Sequence, residues 1–198
     1  MDSMASFLLA SFALVGSPGP NTVSLAALGA AFGARKVLSY MVGLNLGMVG
    51  VVILIGSGFW VTILSIPRIA PVVTVAATAY LTLLAYKIAT APALGTGVTM
   101  PTHPPRWHAG MALSLSNPKA YFAVAAVLSR YSLWPTNNAL DQFAKALLLL
   151  ATIVFVNILW LAVGSKLATR IRSAAVGRFV NLCFATALVI SVLVASFL

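Results

Sequence analysis

The stretch MASFLLASFALVGSPGPNTVSLAALGAA, residues 4–31, is long and apolar enough to cross a bilayer, yet Ser17-Pro18-Gly19-Pro20-Asn21 interrupts it near its middle. Crossing roughly 30 Å of hydrocarbon takes about 20 apolar residues in a helix. Each proline removes a backbone donor and its ring clashes with the preceding turn, so the helix must kink or break at that depth. The feature returns once, in the stretch 108–130, where Ser116-Asn117-Pro118-Lys119 falls inside another apolar run. There Asn117 suits an N-cap and Pro118 the first position of a new helical segment. Two spans broken in the same way, one early in each half of the chain, set the expectation for the whole fold.

The rest of the sequence is membrane protein throughout. Of 198 residues, 61% are hydrophobic and only 7% charged, too little charge for the surface of a soluble domain of this length. Apolar runs at 4–31, 38–62, 70–90, 108–130, 141–164 and 176–197 predict an all-α polytopic protein of six transmembrane helices. No basic region precedes the first run, where Asp2 is the sole early charge, so it reads as a mature helix and not as a cleaved signal peptide. The chain reads as one transmembrane domain over 1–198, divided into a three-helix unit at 1–90, a cytoplasmic connection at 91–107 rich in Pro and Gly, and a second three-helix unit at 108–198. Because three is odd, the second unit enters the membrane in the opposite sense to the first, which makes the pair an inverted repeat.

The formal charge of +10 is scattered through short loops and does not gather on one face, so it reads as topology and not as a nucleic-acid surface. With the N-terminus external, the inward side carries Arg35, Lys36, Lys87, Arg106, Lys166, Arg170, Arg172 and Arg178, against Arg68, Arg130 and Lys145 outside. The positive-inside rule thus places both termini on the external, periplasmic face of a bacterial inner membrane. Trp60, Trp107 and Trp134 fall at span ends, where an indole favours the headgroup level. Gly43, Gly47 and Gly50 make a small-residue stripe for close helix packing, and such stripes also permit self-association. Cys183 is the only cysteine and reads as a packing residue, which leaves no disulfide or thiol relay within the chain.

A broken helix presents spare N–H groups and a positive dipole end, which can hold a carboxylate in a low-dielectric setting. Asn21, Thr22 and Ser24 in the first half, with Asn117 and Lys119 in the second, would surround such a site. A lone lysine at mid-membrane costs about 2.5–3.5 kcal/mol on insertion scales, and no acid within a span is available to pair with it. Two readings of Lys119 stand open: it meets a substrate carboxylate, or it snorkels to the cytoplasmic interface while the prolines merely kink their helices. Asn45 and Asn181 read as interhelical hydrogen bonds. Asn157 could serve that role or line a path, and Tyr40 and Tyr121 are weaker candidates for polar lining. Asp2 and Asp141 are the only acids and both lie at span ends, so no serine, histidine and acid triad can form at depth and an enzyme is not expected. His103 and His108 flank the connection, and nothing suggests a metal site or a bound cofactor.

On these residues the chain resembles the LysE/RhtB superfamily of amino-acid exporters, of the homoserine, threonine and leucine efflux type. The Pro18-Gly19-Pro20 element, the stretch 29–36 followed by Gly43 and Gly47, and Asn117-Pro118-Lys119 are similar to that family's motifs, and the likeness covers essentially the whole chain. The resemblance implies a LysE-like fold and secondary active export of an amino acid or derivative, with Pro18, Gly19, Pro20, Asn21, Asn117, Pro118 and Lys119 as the matching site positions. It implies an ion gradient as the driving force, a small-molecule substrate and membrane lipid as the partners. Two positions depart from the family pattern: Asn157 stands where many relatives have an acid, and Leu128-Ser129-Arg130-Tyr131 stands where they often have Pro-Gln-Phe. An amide cannot carry a proton at ordinary pH, so if that acid serves proton coupling or binds a substrate amine in relatives, this chain must couple otherwise, transport something different or have lost the activity. Two alternatives accompany the exporter reading: another small metabolite carried on the same fold, and a non-transporting membrane scaffold or regulatory protein.

Overall fold

The computed structural model describes residues 2–58 and 103–170, together with isolated helical positions at 79, 82, 86, 89–90, 178–179, 182–183, 185–186 and 189–190. Most of the expected third and sixth spans, with Trp60, Arg68, Lys87, Arg172 and Asn181, lies outside the described residues. Among the described residues every regular element is an α-helix: α1 (Asp2–Gly16), α2 (Pro20–Phe32), α3 (Ala34–Gly56), α4 (Trp107–Leu115), α5 (Pro118–Arg130) and α6 (Asn138–Arg170).

The breaks fall where the prolines dictate. Ser17 precedes Pro18 and cannot easily stay helical, so α1 stops at Gly16. Pro20 then opens α2 at the first helical position, where its missing N–H is not needed. Gly19 is fully extended, and its N–H donates to Thr22 Oγ1 at 2.9 Å. Gly33, with φ of 80°, turns the chain directly from α2 into α3, a conformation that an L side chain rarely adopts. In the second half Pro118 opens α5, and α4 and α5 meet at an angle of 63°. Asn117 occupies the N-cap position of α5, but its side chain makes no cap hydrogen bond, contrary to the sequence expectation.

Among the described residues α3 and α6 are each long and apolar enough to cross a membrane, and the bent pair α4–α5 makes a third candidate span. The 23 residues of α3 reach about 35 Å. Its outer face carries exposed Leu38, Val42, Leu46, Val49 and Ile53 at helical spacing, an apolar surface suited to lipid. The 33 residues of α6 overrun the apolar run expected at 141–164. Lys166 and Arg170 therefore continue the helix instead of lying in a loop, because the residues around them, Leu167 and Ala168 among them, are good helix formers. Cys183 is exposed, not packed as expected, since an apolar face of a membrane helix needs no protein partner.

Glycine sets the closest helix approaches. A Cβ on Gly43 of α3 would collide with the Trp107 carbonyl, and one on Gly110 of α4 would collide with the Tyr40 carbonyl. On the other side of the bundle a Cβ on Gly29 of α2 would come to 2.8 Å from the Leu161 oxygen, and one on Gly164 of α6 would strike the Ala26 carbonyl. The α3–α4 and α2–α6 contacts are accordingly the most extensive in the described bundle. The packing role expected of Gly43 and Gly47 is the one they have, as small residues that let backbones approach.

Two apolar cores result. One gathers Phe7, Met48, Val51, Val124, Leu149 and Ile153, and the other gathers Leu25, Val37, Tyr40, Leu44, Leu113 and Leu161. Along α3 the change from one core to the other falls between Leu44 and Met48, and along α6 between Ile153 and Leu161. Asn45 and Asn157 occupy those intervals, and Ser114 and Asn117 occupy the corresponding one between Leu113 and Ala120. A polar layer thus separates the cores at the depth of both helix breaks.

Candidate functional site

A directed chain of hydrogen bonds runs across the polar layer. Asn117 Nδ2 donates to Asn21 Oδ1 at 3.1 Å, Asn21 Nδ2 donates to Ser114 Oγ at 2.9 Å, and the Ser114 hydroxyl donates to the Leu44 carbonyl at 2.8 Å. Its direction follows from its end. A carbonyl can only accept, so Ser114 must give its one proton to Leu44 and accept from the Asn21 amide nitrogen. Asn21 then offers its oxygen to Asn117, and the Asn117 amide nitrogen is the donor. Asn117 Oδ1 remains as a buried acceptor without a donor in a side chain only 3% exposed. Leaving such a group unpaired costs about 1–3 kcal/mol.

Lys119, the second residue of α5, reaches back to the first break. Its Nζ donates to the Ser17 carbonyl at 2.5 Å and to the Pro18 carbonyl at 3.0 Å. These oxygens lie just past the end of α1, where carbonyls lack intrahelical partners and the dipole is negative. Trp160 of α6 completes the cap by donating Nε1–H to the Gly16 carbonyl at 3.0 Å. The charge that lacked an acidic partner in the sequence is thus met by backbone oxygens that the prolines set free. An ammonium has three N–H donors, and two of these are engaged here.

Between the breaks lies a cavity of about 380 Å³, including its open mouth. Its polar wall is Asn21, Thr22, Asn117, Lys119 and Asn157, with Gly19 beside the lysine, and its apolar wall is Leu14, Val15, Met48, Ala120, Ala123 and Ile153. Gly19 admits the lysine, because a Cβ there would stand 2.7 Å from Lys119 Cδ. Asn157 is buried, donates Nδ2–H to Asn45 Oδ1 at 2.7 Å and also faces the cavity. Lys119 is the sole ionisable side chain among the described lining residues. Among the described residues no three of His, Cys, Asp and Glu come together as a metal site would require.

Of the residues singled out in the sequence, the cavity brings together Gly19, Asn21, Thr22, Asn117, Lys119 and Asn157. Pro20 and Pro118 open the two inner helices, and Pro18 supplies a carbonyl. Tyr40 and Tyr121 lie elsewhere. The Tyr40 hydroxyl donates to Ser24 Oγ at 3.0 Å within the core around Leu44, and the Tyr121 hydroxyl donates to the Leu115 carbonyl at 2.9 Å. Both rings fill a core, so neither lines the cavity. Ser114 and Trp160 escaped the sequence reading. Nothing separated Ser114 from Ser116, whose hydroxyl turns back onto the Ala112 carbonyl at 2.8 Å.

A second buried charge cluster sits at the far end of α5. Lys145 Nζ pairs with Asp141 Oδ2 at 2.8 Å and donates to the carbonyls of Leu128 and Tyr131 at 2.8 and 2.9 Å. Asp141 Oδ1 accepts from the backbone N–H groups of Leu133 and Trp134 at 2.5 and 2.9 Å. Lys145, counted above as an outward-facing charge, is in fact buried and neutralised, because it closes the end of one helix and its partner holds the loop to the next.

Comparison with known proteins agrees with this architecture. The family model of the LysE type translocator matches residues 12–197. The chain is 30% identical over 175 residues to the cysteine/O-acetylserine efflux proteins of Escherichia coli O1:K1, E. coli K12 and Shigella sonnei, a match covering 87% of this chain and 87% of each relative. No solved structure matches the chain. The family model spans both helix breaks and every element around the cavity, and on that basis the chain belongs to the LysE type translocators, a family of membrane transporters and not of enzymes.

Proposed function

We propose that the chain is a secondary active exporter that carries an amino acid or amino-acid derivative out across a bacterial inner membrane, driven by an ion gradient. In this reading six membrane helices form two inverted three-helix repeats, both termini face outward, and the halves rock about the site between their broken helices. One observation carries it: residues from both breaks, Asn21 and Gly19 from the first and Asn117 and Lys119 from the second, line one cavity at the polar layer. The third N–H of Lys119 is left for a cargo carboxylate, and the Ser17 and Pro18 carbonyls hold the lysine in place between transport cycles. The relatives named as cysteine/O-acetylserine efflux proteins make those two compounds the first to try.

The test is efflux of a panel of radiolabelled amino acids and O-acetylserine from proteoliposomes, with the gradient intact or collapsed, for the natural chain and for Lys119→Ala. Efflux of one class, reduced on collapse and abolished in the variant, is the expected result. If nothing in the panel moves, the cargo is wrong. If Lys119→Ala transports equally well, the carboxylate site is wrong.

A further inference from the structure

Among the described residues the cavity has one cation and no anion in its wall. A zwitterionic cargo whose carboxylate meets Lys119 still has an ammonium group to place, and a desolvated ammonium needs hydrogen-bond acceptors. Most of the polar atoms nearby are already committed. Asn21 Oδ1 accepts from Asn117, Thr22 Oγ1 accepts from Gly19 N–H, and the Ser17 and Pro18 carbonyls accept from Lys119. Among the fully buried side-chain atoms of the wall, Asn117 Oδ1 is the exception: it belongs to a cavity-lining side chain and has no donor. The fixed direction of the chain ending at Leu44 prevents the amide from flipping to relieve it, since a reversed Asn117 would set its oxygen against Asn21 Oδ1.

We infer that Asn117 Oδ1 is the acceptor for the cargo's ammonium group, and that the site thereby selects amino acids with uncharged side chains. This rests on the export reading above and deepens it. A neutral amide oxygen can receive one ammonium whose charge is balanced by the cargo's own carboxylate. A second cationic group on the cargo would add to the charge of Lys119 in a site that holds no carboxylate, so basic amino acids are disfavoured. An amine-free acid would leave the acceptor empty and gain less from binding.

The deciding experiment is inhibition of labelled amino-acid uptake into counterflow-loaded proteoliposomes. For whichever neutral amino acid is transported, its unlabelled form is compared with its amine-free counterpart (3-mercaptopropionate for cysteine, 3-hydroxypropionate for serine) and with L-lysine. In the natural chain the amine-free acid and lysine should each inhibit about tenfold or more weakly, the size expected for losing a hydrogen bond to a charged group. In Asn117→Ala the gap between the amino acid and its amine-free counterpart should close. In Asn117→Asp the lysine gap should narrow by a similar factor, because the added carboxylate balances the extra cation. Equal inhibition by the amine-free acid in the natural chain overturns the inference while leaving amino-acid export standing, and it needs no variant to fold. Unchanged gaps in both variants overturn the assignment to Asn117. Failure of any amino acid to move overturns the export reading, and the inference falls with it.

Discussion

The ammonium of Lys119 stands 2.5 Å from the carbonyl oxygen of Ser17, so the charged residue of one broken helix closes the end of the other. The bond crosses from the second half of the chain to the first, and the 3.0 Å contact with Pro18 reinforces it. Since the same side chain lines the cavity, a ligand that draws the ammonium toward itself also loosens the cap on α1. In the proposed export cycle, binding and the relative position of the halves would be coupled through this one group, as alternating access requires.

Lys119→Met keeps the stem that packs beside Gly19 and removes the ammonium. The Ser17 and Pro18 carbonyls then lose a charged donor, at a cost of about 1.5–3 kcal/mol. A lower midpoint of thermal unfolding in detergent is expected, together with loss of efflux. Lys119→Arg should restore part of the stability and little of the transport, because the planar guanidinium does not fit the place of a compact ammonium against Gly19. Full activity in Lys119→Arg would show that charge alone matters there.

Gly19→Ala and Gly43→Ala should fail in different ways. At Gly19 the new methyl group meets the far end of a flexible side chain, with Lys119 Cδ at 2.7 Å and Nζ at 2.8 Å. The lysine can shift and keep part of its hold on the Ser17 and Pro18 carbonyls, so the stability loss should be smaller than that of Lys119→Met while efflux falls. At Gly43 the methyl group meets the Trp107 backbone, which can yield only if α3 and α4 separate. Overpacking of that kind costs about 1–3 kcal/mol, so the loss should appear in the unfolding midpoint. Equal thermal shifts in the two variants would contradict this division.

The Asp141–Lys145 pair offers a prediction away from the cavity. Each residue is nearly fully buried, and each also serves backbone groups of the segment 128–134. Removing one partner strands the other, and breaking a buried pair in this way costs about 3–5 kcal/mol. Asp141→Asn and Lys145→Met should each markedly lower the unfolding midpoint, and the double variant should lose less than the sum of the two. Strict additivity would mean that the pair acts as two separate caps.

Much of this was legible in the sequence because proline acts locally. Pro18, Pro20 and Pro118 fix where helices end whatever surrounds them, so both breaks were readable from spacing alone. The glycine stripe at 43 and 47 was readable for a similar reason, since absence of a side chain has one main use inside a bundle. What could not be read was pairing between distant residues. Lys119 looked isolated because its partners are backbone carbonyls, which no residue letter records. Ser114 looked like any helical serine until Asn21 and Leu44 were brought to it. Tyr40 and Tyr121 looked suitable for a polar path, and only tertiary packing shows that each hydroxyl is satisfied outside it.

Asn157 provides the last prediction. Its amide nitrogen donates to Asn45 Oδ1 at 2.7 Å while the side chain faces the cavity. Asn157→Asp replaces that donor with an acceptor. The fold can absorb the change, because Asn45 can rotate its amide and present nitrogen in place of oxygen, so a stability loss of no more than about 1 kcal/mol is expected. Function should respond to pH. A protonated aspartic acid is neutral like the amide it replaces, so at low pH efflux of a neutral amino acid should match that of the natural chain. As pH rises through the pKa of the new carboxyl, a negative charge enters the cavity that Lys119 also lines. Lysine should then compete better and the neutral cargo less well. The ratio of the two, measured from pH 5 to 8 in proteoliposomes without a pH gradient, should change for Asn157→Asp and stay level for the natural chain. A level ratio in the variant would place position 157 away from the cargo path.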